Sequence, residues 1–208
     1  MRSKKSLPMQ TNTLRVIGID PGYERIGISV VEKTHTGEIL LFSECVVTNR
    51  KDPHHKRLNT LGIAVTEAIH TYKPTRFAIE KLYFNTNQKT ALQVAEARGV
   101  LLYIASQENL DVFEYSPLQV KTAVTGYGRA DKKQMMAMVS RLISIDKKIQ
   151  FDDEFDAIAI ALTCVASEKL AISARYPHTS PSPLAKSVGF DTNRKSKKNP
   201  TGLHGLQD

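Results

Sequence analysis

Four carboxylates, Asp20, Glu80, Asp153 and Asp156, stand where the ends of secondary-structure elements would gather them, and together they suggest metal-dependent phosphodiester chemistry. Asp20 closes the apolar run Val16-Ile17-Gly18-Ile19 and is followed at once by Pro21-Gly22, so a strand ends there with its carboxylate at the rim of a sheet. Glu80 repeats the pattern, ending Phe77-Ala78-Ile79 after the turn signal Lys73-Pro74-Thr75. Asp153 and Asp156 are three residues apart before the apolar run Ala157 to Leu162, a spacing that puts both on one side of a helix. Crowded carboxylates repel one another and shift toward protonation unless a cation joins them. Magnesium fits best, because it takes oxygen ligands and keeps waters for substrate and nucleophile.

Each acid alone has an ordinary explanation. An Asp before Pro-Gly forms turns, a Glu at a strand end is usually solvated, and an Asp at a helix start caps orphan N–H groups. Taken together those explanations weaken, because two acids ending apolar strands and two more opening an apolar helix place four charges beside a core.

The elements that must position these acids are legible from periodicity. Strands are predicted at about 15–19, 26–32 and 39–47, with a turn at His35-Thr36-Gly37. Leu58, Leu61, Val65 and Ile69 recur at helical spacing over about 54–72. A strand at 75–80 delivers Glu80, a long helix follows at about 87–107, and Leu110 to Tyr115 reads as the last strand. Helices at about 117–124, 131–144 and 154–171 complete an α/β chain, a mixed sheet flanked by helices.

In this order and spacing, Val16-Ile17-Gly18-Ile19-Asp20-Pro21-Gly22, Phe77-Ala78-Ile79-Glu80, Ala97-Arg98-Gly99-Val100, Val112-Phe113-Glu114-Tyr115 and Asp156-Ala157-Ile158-Ala159 resemble the RuvC family of bacterial Holliday junction resolvases. The resemblance spans roughly residues 15 to 170. It implies a ribonuclease H-like fold with a mixed five-stranded sheet. It also implies a homodimeric endonuclease that nicks two opposed strands of a four-way DNA junction in recombination and repair, works with RuvA and RuvB, and leaves ligatable ends. The catalytic acids, which are also the metal ligands, fall on Asp20, Glu80, Asp153 and Asp156, although Asp152, Asp153 and Glu154 are consecutive and compete for the third place. The expected mechanism is two-metal hydrolysis with magnesium, for which manganese can substitute: Asp20 is shared, Glu80 and Asp156 lie on opposite sides, and Asp153 is a direct or water-mediated ligand or a base. Tyr83 matches an aromatic position that stacks on junction bases, and Lys121 and Lys132 match phosphate-contacting lysines, with Lys133 beside them. Gly-Ile-Asp-Pro-Gly alone also suits the YqgF-type nucleases of structured RNA, and a non-catalytic junction-binding module is the alternative from another class.

Composition is consistent with one nuclease domain at 15–172, between a flexible basic extension at 1–14 and a disordered basic tail at 173–208. The formal net charge is +8, but four uncompensated basic residues precede Val16 and the tail carries six basic against two acidic residues, so 19 of each sign remain between. Particular lysines therefore matter more than bulk charge. No run approaches the roughly 18 apolar residues of a membrane span and the start lacks a signal peptide's apolar region, so a cytoplasmic protein is expected. Cys45 and Cys164 have no ligand spacing and read as buried thiols.

Overall fold

The computed structural model describes residues 13–82 and 88–175. Strands β1 (Arg15–Asp20), β2 (Arg25–Lys33) and β3 (Glu38–Val47) form an antiparallel meander, and β4 (Arg76–Glu80) and β5 (Asp111–Tyr115) extend it in parallel from the other side of β1. The order is β3-β2-β1-β4-β5, the mixed five-stranded sheet that the resemblance implies. Parallel pairing of β1 with β4 requires a crossover, which α1 (His54–Tyr72) supplies; α2 (Gln88–Gln107) does the same between β4 and β5.

One sheet face carries Ile17, Ile19, Ile28 and Phe77 against Leu61, Val65 and Ile69 of α1 and Ala97, Leu101 and Ala105 of α2. The other carries Val16, Val31 and Ala78 against α3 (Pro117–Thr125), α4 (Lys132–Leu142) and α5 (Asp152–Arg175). Both faces are covered, so β1 and β4 are apolar along their length instead of alternating. Capping sets the short helices. Ser116 and Asp131 each accept from the backbone N–H three residues on, with Gln119 and Gln134 closing the box, and Gly126 ends α3 in the left-handed region.

Helix α5 is central and all but seamless against the sheet. A Cβ on Gly18 would lie 2.3 Å from the Ala157 carbonyl oxygen, and one on Gly27 would lie 1.8 Å from that of Asp153. Buried Ser29 donates to the Ala157 carbonyl at 2.9 Å. The helix starts at Asp152 and runs to Arg175, outside the predicted 154–171 at both ends, because Asp152, Asp153 and Glu154 all suit a first turn, where negative charge meets the helix dipole. Residues 1–12 and 176–208, most of the predicted extension and tail, lie outside the described residues, as does Tyr83. No helix among the described residues is long and apolar enough to cross a membrane.

Candidate active site

The parallel register of β1 on β4 pairs Ile19 with Ile79, so the next residues of each strand, Asp20 and Glu80, end side by side at one edge of the sheet. On β1's other side Asp20 is in register with Gly27, and Gly27 lies against the first turn of α5. That contact brings Asp153 and Asp156 over the same edge. Glu80 is further fixed by its pairing with Tyr115, and Arg98 of α2 reaches its carbonyl at 3.4 Å while pairing with Glu114.

The electrostatics are those of carboxylates crowded away from water. Burial pushes Asp20 well above the usual carboxylate range, and the charges of Asp156, Glu80 and Asp153 add to it, with Lys132 opposing. Glu80 is pushed up to about 7 by burial and then by Asp156, against Lys121 and Lys132. Asp156 is raised mainly by burial, with Lys132 opposing, whereas Asp152 is lowered, foremost by its bond to Lys132. Asp20, Glu80 and Asp156 are thus all raised, with burial the largest cause in each and repulsion by a neighbouring acid next for Asp20 and Glu80.

Two clefts flank the acids. One, of about 260 Å³, is lined by Asp20, Glu80, Asp156, Lys121 and Lys132. It has the room of several water molecules, enough for a hydrated cation and a phosphate oxygen. The other, on the Asp153 side, is lined by Gly22, Tyr23, Glu24, Arg25 and Thr90. Lys132 bridges Asp152 and Asp156, the latter at 3.1 Å, and Arg25 stands 3.0 Å from Asp153. Among the described residues no three His, Cys, Asp or Glu side chains already close around one point as a metal cage would, since these cations draw Asp153 and Asp156 to opposite sides.

The residues nevertheless fit a hard divalent cation. The donors are all carboxylate oxygens, Asp20 and Glu80 are raised despite the lysines beside them, and among the described residues Asp153 Oδ2 is buried without a hydrogen bond, with only the Arg25 guanidinium 3.0 Å away. The three consecutive acids have different ion-pair partners. Asp152 faces Lys132, Asp153 faces Arg25, and Glu154 turns into the body, accepting from Ser43 Oγ at 2.6 Å and pairing with Lys147 at 2.5 Å.

Lys121 and Lys132 are brought to the acids, while Lys133 is exposed on α4 away from that lining. Cys164 is buried and Cys45 half-buried, and burial pushes both thiols up to about 11, so neither is a reactive thiolate. Sequence reasoning missed the support beneath the β1–β2 turn. Buried Arg57 donates to Thr48 Oγ1 at 2.9 Å and stacks 3.7 Å over the Tyr23 ring, whose hydroxyl lies 3.0 Å from His54 Nδ1. It also missed Arg25, a base five residues after Asp20, whose only sequence signal was its position at the start of a strand. On α2, Ala105 is buried and Ala95 and Leu102 are half-buried, while Leu92 and Gly99 are exposed beside the exposed Tyr103.

Comparison with known proteins agrees with this architecture. The family profile described as crossover junction endodeoxyribonuclease RuvC matches residues 16–164. The RuvC of Petrotoga mobilis is 44% identical over 146 residues, covering 70% of this chain and 90% of that protein. The structure of Thermus thermophilus RuvC in complex with a Holliday junction substrate superposes with a TM-score of 0.71 at 31% identity, over 76% of this chain and 96% of that one. The yeast mitochondrial Holliday junction resolvase, at 15% identity and a TM-score of 0.59, shares the ribonuclease H-like fold alone. The gathering of strand-end and helix-start carboxylates described above thus occurs in a chain that belongs to the RuvC family of crossover junction endodeoxyribonucleases.

Proposed function

We propose that this chain is a magnesium-dependent, structure-selective endonuclease that resolves four-way DNA junctions by paired symmetric nicks in recombination and repair. The observation that carries the reading is the meeting of Asp20, Glu80 and Asp156 in one cleft with Lys121 and Lys132, with Asp153 at its margin. Asp20, Glu80, Asp153 and Asp156 would hold two magnesium ions, or manganese in their place, and the bound cations would supply an activated water and charge neutralisation at the leaving 3′ oxygen. Asp20 lies among the other three acids and would be the ligand the cations share, with Glu80 and Asp156 the further ligands. Asp153 would serve as a direct or water-mediated ligand or as a base. Lys121 and Lys132 hold the phosphates beside the cut, Lys133 meets the backbone farther out, and Tyr83 stacks on a junction base.

Symmetric cleavage needs two sites, and a closed two-fold pair is the simplest assembly that supplies them. An apolar groove between α1 and α2, lined by Gly62, Ile63, Val100, Tyr103 and Ile104, is where a second copy of this chain docks. Ile63 is 50% and Tyr103 65% exposed in the single chain, which leaves a large apolar area for a partner to cover. An enzyme of mobile junctions works beside the RuvA and RuvB branch-migration complex in the cytoplasm. The basic extension at 1–14 and tail at 173–208 add nonspecific DNA affinity to the nuclease domain at 15–172.

The test is incubation with a mobile four-way junction, with and without magnesium, mapping every nick. Paired, symmetric nicks that require magnesium are expected. Cutting of precursor RNA with the junction left intact would assign a YqgF-like activity instead, and binding without cleavage would leave a non-catalytic module.

A further inference from the structure

Arg25 stands apart from the lysines on which the proposed function draws. It opens β2, five residues beyond Asp20, and borders the cleft on the side of the acids away from Lys121 and Lys132. Its guanidinium lies 3.0 Å from Asp153 Oδ2 and 4.9 Å from the centre of the Phe151 ring, and its side chain remains 40% exposed. The pair is close but poorly aligned, for Asp153 Oδ2 makes no hydrogen bond among the described residues. Its geometry forgoes the paired N–H···O bonds that make arginine–carboxylate contacts strong. The neighbouring acid in this cleft, Glu24, is already engaged by Arg50 at 2.5 Å.

The same arrangement is mirrored across the site, where Lys132 lies 3.1 Å from Asp156. Each cleft thus has a partly exposed basic side chain paired with an acid. Once a divalent cation takes the charge of Asp153, Arg25 has no other ion-pair partner among the described residues. A planar, half-exposed guanidinium over an open cleft of about 380 Å³ is well suited to a phosphate.

We propose that Arg25 is a DNA-phosphate contact on the second flank of the acid cluster, held by Asp153 until a divalent cation occupies that carboxylate. Metal and DNA binding are thereby coupled through one side chain. The coupling is reciprocal: DNA that engages Arg25 leaves Asp153 free for the cation, so each ligand tightens the other. The inference rests on the junction-nuclease reading and adds a residue and a linkage to it.

The experiment measures junction affinity by fluorescence anisotropy at several salt concentrations, in EDTA and in calcium at matched ionic strength, with gels confirming that the DNA stays intact. It compares the full-length wild type, Arg25→Gln and Arg25→Lys. In calcium, Arg25→Gln should lose affinity by roughly tenfold and its salt slope should fall by about one. In EDTA its affinity should stay within about twofold of wild type, because there Arg25 is already spent on Asp153. Without DNA, calorimetric titration with manganese should show Arg25→Gln binding the cation more tightly, since the competitor for Asp153 has gone. Arg25→Lys should keep most of the affinity in both conditions, which separates charge from folding.

Equal losses with and without cation would make Arg25 an ordinary surface charge and overturn the coupling. No loss in calcium, or unchanged manganese affinity, would overturn it as well. A wild-type protein that binds no junction in either condition would sink the nuclease reading itself, and this inference with it. Normal wild-type binding with indifferent Arg25 variants would sink the inference alone.

Discussion

Gly27→Ala should disable cleavage while leaving a folded, DNA-binding protein, and its size can be worked from the packing of α5. Gly27 pairs with Asp20 across β1 and β2, and its missing side chain points at the first turn of α5. An added Cβ would lie 1.8 Å from the Asp153 carbonyl oxygen and 2.5 Å from its carbon. These are backbone atoms and cannot swing aside, so the helix start must retreat by about 1.5 Å to reach ordinary contact. One turn farther on, the helix is pinned by the Ser29 bond to the Ala157 carbonyl and by the close contact at Gly18. The retreat therefore tilts the first turn, carrying Asp153 away from Asp20. Overpacking of this kind costs about 1–3 kcal/mol of stability. Against a domain stability of roughly 5–15 kcal/mol, the protein stays overwhelmingly folded at 25 °C. A misplacement of about 1 Å at a reacting centre costs on the order of 10²-fold in rate. Urea denaturation, junction anisotropy and single-turnover cleavage on the same preparation separate the effects. The expected pattern is a modest loss of stability, near wild-type binding, and a rate down by about two orders of magnitude. Ser29→Ala is the control: it removes one hydrogen bond of about 1 kcal/mol but keeps the glycine contact, so its rate should fall only slightly. A Gly27→Ala protein that cleaves within threefold of wild type would show that α5 is not set by this contact.

Asp20→Asn and Glu80→Gln should each abolish cleavage but bind junctions as well as wild type or better, and in EDTA both should melt higher because a charge is gone from a crowded, buried cluster; gel shifts and thermal melts check this. Metal-free wild type should lose stability as pH rises from about 4.5 to about 7, because the folded state holds a proton on Glu80 that the unfolded state has released, and the raised Asp20 and Asp156 act in the same sense; Glu80→Gln should lessen that slope and saturating magnesium flatten it in melts across the range. Asp152, whose shift is downward, acts with opposite sign only below its ordinary value of 3.8. Tyr103→Glu should give a monomer by light scattering, by placing a charge in the apolar α1–α2 groove, and uncouple the two nicks; a dimeric Tyr103→Glu would move the interface elsewhere. Tyr83→Ala should lose roughly 1–3 kcal/mol of junction interaction, with partial rescue by a locally unpaired crossover, whereas Tyr83→Phe should retain most activity in cleavage assays.

Most of the scaffold was legible because burial leaves a periodic trace. Leu61, Val65 and Ile69 mark the buried stripe of α1, and the apolar runs before Asp20 and Glu80 mark strands covered on both faces. What periodicity does not contain is adjacency. That β4 lies beside β1, with Ile79 opposite Ile19, depends on a crossover of α1 over some 55 residues of chain, and it entered only through resemblance to a family. The ion pairs were illegible for the same reason, since nothing local says that Arg25 meets Asp153 or that Lys132 meets Asp156.

The run Asp152, Asp153 and Glu154 shows where local reasoning stops and what replaces it. Three consecutive residues on a helix point about 100° apart, so they must face three ways, and no propensity tells which faces the site. The rotation of α5 decides, and that rotation is set from the sheet. Gly27 admits the Asp153 backbone, Gly18 admits Ala157, and Ser29 holds the Ala157 carbonyl. With the helix seated there, Glu154 must turn inward, where Ser43 and Lys147 satisfy it, and Asp152 outward to Lys132. Asp153 is left facing the edge where Asp20 ends, with one oxygen unbonded among the described residues. Two glycines and a serine that read in the sequence as minor interruptions of apolar strands thus select which carboxylate faces the candidate site. Substitution at the two glycines, rather than at the acids, is the stricter test of how this fold makes its site.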